Sequence, residues 1–128
     1  MLIKNQAQNT ILARHCRVAD TFFTRLKGLL GSNPLKVGEG LLLKNEKSIH
    51  TFFMTFPIDV VYIDRALKII RLDLNMPPHK IGPHVSQSAY ILELPVGVIR
   101  ESNSAVGDQL WFAVEQSEQS AVTTQAGG

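Results

Sequence analysis

Cysteine is nearly absent from this chain. Cys16 is alone among 128 residues, so no intramolecular disulfide can form and nothing argues for an oxidising compartment. Long apolar runs are missing as well. No stretch approaches the roughly 18–20 residues of a membrane span, and the opening "MLIKNQAQNTILARHCR" lacks an apolar signal-peptide core. The expectation is a cytoplasmic protein that does not enter a membrane. Charge of one sign is scarce: 13 Lys+Arg against 11 Asp+Glu leave a formal net charge of +2. The densest basic cluster, Arg14, His15 and Arg17, is too small for a nucleic-acid footprint. The glycines of "GLLGSNPLKVGEG" match no phosphate-loop spacing. No cofactor and no nucleic acid are therefore expected.

What is present is an ordinary globular composition, 45% hydrophobic and 19% charged. The length suits one domain with its own core. Apolar patterning runs to Val114, which places a single domain over residues 1–114; "EQSEQSAVTTQAGG", 115–128, has few large apolar side chains and reads as a disordered polar tail. "LIKN" and "TILARHCRV" around the polar "QAQN" suggest an opening hairpin. In "DTFFTRLKGLLGSNP" the period changes: Phe22, Phe23, Leu26, Leu29 and Leu30 share one helical face, with Asp20 as N-cap and Pro34 past the end. The remainder is β-patterned. "GLLLKN", "IHTFFMTF" and "PIDVVYID" read as buried strands. "LKIIRLDLNM" alternates, which puts Ile70, Leu72, Leu74 and Met76 on one face. "AYILELP" and "DQLWFAV" close the sheet, the latter with Leu110, Phe112 and Val114 inward. "PVGVIRESNS" between them has room for a helical turn or two. The pattern predicts an α+β domain: a curled, mostly antiparallel β-sheet or partly open barrel of about seven strands with one main helix packed on it, Phe22, Leu26 and Leu30 meeting Ile70, Leu72 and Leu92.

Four motifs, in order, carry a resemblance. "TRLKGLLG" (24–31), "GEGLLL" (38–43), "SIHTFFMTFPIDVVYID" (48–64) and "YILELPVG…VGDQLWF" (90–112) resemble those of the bacterial and archaeal family called domain of unknown function 192. The resemblance covers roughly residues 10–114. One departure stands in the turn after the central strand: where members often carry glycine, this chain has "DRALKI". If Leu67 occupies that position it must avoid positive φ or bear roughly 1 kcal/mol of strain. The resemblance implies no settled activity.

Candidate site residues interrupt the apolar motif. With 49–56 as a strand, His50 and Met54 share a face, a pairing of imidazole and thioether that suits a soft ion. Two ligands do not make a metal site, so no metal is expected. Asp59 lies between Ile58 and Val60, where a carboxylate must be satisfied by backbone N–H groups or by Arg25 of the helix. His50 and Asp59 are the only candidates for a catalytic acid–base pair, with no serine or cysteine in a nucleophile context beside them. Trp111, pointing opposite Leu110 and Phe112, is available for ligand stacking. Asp108 reads as turn chemistry before the last strand. The candidate ligand-binding set is Arg25, His50, Met54, Asp59 and Trp111.

These residues form no complete catalytic constellation. The first expectation is a small ligand-binding or protein-interaction module without catalysis, a monomer or weak homodimer whose partner is an unknown small molecule or protein. Two alternatives stand beside it: a small hydrolase or lyase using His50 and Asp59, and an accessory of a secretion or pilus assembly.

Overall fold

A computed structural model describes residues 1–19, 35–49 and 56–114. The expected main helix with Phe22, Leu26 and Leu30 lies outside these residues, and so do Arg25, His50 and Met54.

The described chain forms β1 (Leu2–Asn5), β2 (Thr10–Ala13), β3 (His15–Ala19), β4 (Glu39–Lys44), β5 (Ile58–Ile63), β6 (Ile69–Met76), β7 (Tyr90–Leu94), the short helix α1 (Val98–Glu101) and β8 (Leu110–Ala113). These strands build two open sheets, one of order β2-β1-β8 and one of order β3-β4-β7-β5-β6. The class is α+β, and every strand pair is antiparallel except β3 with β4.

β5 shows why the larger sheet forms. Every residue of Ile58–Ile63 is buried, because β6 and β7 flank it and both of its faces are covered. Residues opposed across neighbouring strands share a face, so Leu42, Leu92, Val61 and Leu72 make one apolar row across four strands. That row belongs to a core cluster with Ile3, Leu12, Cys16, Ile63, Leu94, Ile99 and Leu110, which also joins the two sheets. The rings of Tyr90 and Phe112 meet edge to face across the same junction, centroids 5.5 Å apart. The opposite face packs Leu41, Leu43, Ile49, Ile58, Val60, Tyr62 and Ile91 into a second cluster.

Three local expectations are corrected. "TILARHCRV" is two strands in different sheets: the chain bends at Arg14, where the N–H groups of Arg14 and His15 both donate to Gly38 O at 2.9 Å. The alternation expected for β6 fails because its register against β5 shifts twice, each shift placing one more residue on β6 than on β5. A single extra residue reverses every side chain beyond it. Leu72 therefore packs into the first cluster and Ile70 against the second, while Leu74 is 46% exposed. In β8, Leu110 and Phe112 do face the first cluster, but the strand stops at Ala113 and Val114 is exposed.

The turn between β5 and β6 resolves the departure at residue 67. Leu67 takes φ 62°, the left-handed region that disfavours a branched L side chain. It is held there by its N–H to Asp64 O at 3.0 Å, by Leu110 N–H to its carbonyl at 2.8 Å, and by its own packing against the first cluster.

Candidate ligand-binding site

Asp59 sits on β5 with 1% exposure. Its Oδ1 accepts the N–H of Asn75 at 2.9 Å; its Oδ2 accepts those of Gly97 at 3.0 Å and Ile99 at 3.1 Å. Gly97 precedes α1 and offers no side-chain cap. Asp59 thus supplies, from 38 residues earlier in sequence, the anionic acceptor that the first amides of α1 need. Both of its oxygens are committed to backbone.

The second sheet face carries polar groups that sequence reading missed. Glu93, buried at 0% exposure, lies opposite Leu41 and Val60, and Asp73 follows on the far side of Val60. Asp73 pairs with Arg71 at 3.0 Å. Tyr62, two residues along β5 on the same face, is also fully buried, and its hydroxyl has no partner of good hydrogen-bond geometry among the described residues. Burial raises the Tyr62 hydroxyl pKa, and the nearby Asp73 carboxylate, a longer-range acceptor, adds to the shift. Gly82 covers this hydroxyl so closely that a Cβ there would lie 3.1 Å from it. The signal for Glu93 stood in "YILELP", a carboxylate inside an apolar strand.

Trp111 points outward from β8 at 44% exposure, with Lys4 opposite it on β1 and Ile11 opposite Lys4 on β2. The thiol of Cys16 is 4% exposed, and burial pushes its pKa up to about 12. A thiol so placed is a poor nucleophile. Of the five expected ligand-binding residues, Asp59 and Trp111 are described, and they lie apart: one under α1, one on the outer face of the smaller sheet.

A cavity of about 590 Å³ opens elsewhere, at the end of the larger sheet, where the chain leaves β4, turns from β5 to β6 and enters β7. Lys47, Asp64, Arg65, Gln87 and Asn45 line it, with the backbone of residues 86–89 as a wall. Lys47 Nζ donates to the carbonyls of Ser86 at 2.9 Å and Ser88 at 3.1 Å. Asp64 Oδ1 accepts the amides of Ala66 and Lys68, each at 2.9 Å, and so braces the turn. Nothing local marks these residues: Lys47 and Arg65 lie in separate connections and meet only through the strand order.

Comparison with known proteins follows the same lines. Residues 3–112 match the family described as domain of unknown function 192, an uncharacterized ACR. A UPF0127 protein of Thermococcus sibiricus is 34% identical over 126 residues, 95% of this chain and 80% of that protein. Among solved structures, a protein of unknown function from Novosphingobium aromaticivorans superposes with TM-score 0.70 at 16% identity, covering 87% of this chain and 82% of that one. A Sinorhizobium meliloti protein provisionally named a transcription regulator does so with TM-score 0.68 at 21% identity, covering 86% and 89%. At these identities the two structures are alike in fold.

Proposed function

The chain belongs to the domain of unknown function 192 family, and on that premise we propose that it is a small ligand-binding module that performs no covalent chemistry. The observation that carries this reading is the cavity at the end of the larger sheet. Its volume, about 590 Å³, falls in the range of small-molecule sites, and convergent polar groups on loops held by a rigid sheet are the usual means of orienting a ligand. Asp59 supports the same reading from the other side. A carboxylate whose two oxygens hold three backbone amides cannot also shuttle a proton without releasing them. The test is native mass spectrometry of protein purified from its own host. A retained small molecule, displaced on substitution of a cavity residue, is the expected result; a spectrum with no bound molecule would sink the reading.

A further inference from the structure

The charges around the cavity are unevenly satisfied. Lys47 is pinned: two backbone carbonyls fix its ammonium against the cavity wall at 2.9 and 3.1 Å. Neutral carbonyls orient that charge without cancelling it. The segment carrying it is tied down as well, since Val85 N–H donates to Lys47 O and Gly82 N–H to Ile49 O, each at 2.7 Å. Arg65, exposed on the turn between β5 and β6, brings a second cation to the same cavity. The carboxylate lining it, Asp64, spends Oδ1 on two amides of its own turn. Among the described residues neither Lys47 nor Arg65 has a carboxylate within ion-pair distance.

We propose that this cavity binds a small oxyanion, a carboxylate or phosphate group of its ligand, between the ammonium of Lys47 and the guanidinium of Arg65. The proposal rests on the ligand-binding reading above and adds the chemical class. Holding one cation in place beforehand reduces the ordering that binding must impose, and a guanidinium lining the same cavity suits the planar or tetrahedral oxygens of such a group. Asn45 and Gln87 add amide donors on the rim. The same wall is also held by Asn45 N–H to Ala89 O at 2.8 Å.

The experiment follows amide chemical shifts of the isotopically labelled full chain during titration with sodium phosphate and, separately, sodium acetate. Ionic strength is held constant with sodium chloride. Saturable shifts confined to residues 45–47, 64–66 and 86–89 are expected, and whichever anion saturates first identifies phosphate or carboxylate as the preferred group. Arg65→Gln, which removes no side-chain hydrogen bond among the described residues, should weaken binding by roughly tenfold or more, the usual cost of losing one charge-assisted contact. Lys47→Gln should do the same, while Arg100→Gln, on α1, should leave it unchanged. Absence of saturable shifts with both anions, or equal binding by Arg65→Gln and wild type, overturns the oxyanion assignment. If the host-purified protein nevertheless retains a neutral molecule in this cavity, only the assignment of class falls; if it retains nothing, the ligand-binding reading falls with it.

Discussion

Asp59 decides how the polar interruption of the central motif is understood. Its three amide bonds tie β5 to the end of β6 and to α1. Asp59→Ala should cost about 1–3 kcal/mol in urea or thermal unfolding, because three backbone N–H groups, that of Ile99 buried, lose their acceptor. Asp59→Asn is a sharper probe. The amide has one oxygen where the carboxylate has two, so at least one N–H must face an NH2 group, and this variant should also lose stability. A melt of Asp59→Ala at or above wild type would remove the brace. Asp108 is a second carboxylate with a definite structural role. It accepts Asn5 Nδ2 at 3.0 Å, Gln8 Nε2 at 3.3 Å and Ala105 N–H at 2.9 Å. The Asn5 amide above all lowers its pKa below the usual carboxylate value of 3.8. A carboxyl with a lowered folded pKa stabilises above its unfolded value and loses that contribution as pH falls through the folded one. Unfolding followed between about pH 2 and 5 should therefore show a shallower acid loss in Asp108→Ala than in wild type.

Among the elements, the turn from β5 to β6 and the strand after it matter most. Leu67 bears a left-handed backbone at φ 62° while its side chain packs on the first core cluster. Packing and strain oppose each other here, which gives a direct test. At most positions alanine is more stable than glycine, but at residue 67 the order should reverse. Leu67→Gly should exceed Leu67→Ala by about 1 kcal/mol, since only glycine is free of the left-handed penalty. An alanine variant as stable as the glycine one would show that the turn relaxes out of this conformation. Of the five other non-glycine left-handed positions among the described residues, four, Asn9, Asn45, Asn75 and Asn103, are asparagines and one is His79, residue types enriched in that region. One of them, Asn75, is where Asp59 takes its amide from the irregular end of β6.

At the scale of the whole molecule, the row Leu42, Leu92, Val61 and Leu72 spans four strands and belongs to the core cluster that joins the two sheets. Leu92, at 0% exposure, is surrounded on the middle strand of the larger sheet, and Leu92→Ala should cost about 2–5 kcal/mol of unfolding free energy. A loss below about 0.5 kcal/mol would show the row to be less closely packed than its burial requires. The alkaline response is also a property of the assembled core. Cys16, pushed up to about 12, and Tyr62, raised too, hold their protons because burial disfavours the charged forms. Such groups contribute stability that is complete below their unfolded values, 9.0 and 10.0, and is lost as pH rises through the folded ones. Stability should fall above about pH 9, and Cys16→Ala should flatten the first part of that fall.

The sequence by itself determined the class, the family and most strand positions. Alternation, β-branched content and turn residues act within a few residues of one another, and the motif of 48–64 with its buried carboxylate was visible in the same way. That Asp59 would need backbone N–H groups or a cation such as Arg25 followed from the cost of burying a charge; that it takes backbone amides, and which ones, on β6 and at α1, did not. The two bulges of β6, the division of "TILARHCRV" between sheets, and the placement of Glu93, Asp73 and Tyr62 on one face arise from pairing between strands distant in sequence. The same holds for the cavity. Lys47 and Arg65 are 18 positions apart in loops without any local pattern, and only the strand order brings their charges to one opening. Local propensity sets what each segment becomes, whereas the meeting of separate loops is decided by register and twist, which exist only once the sheet has formed.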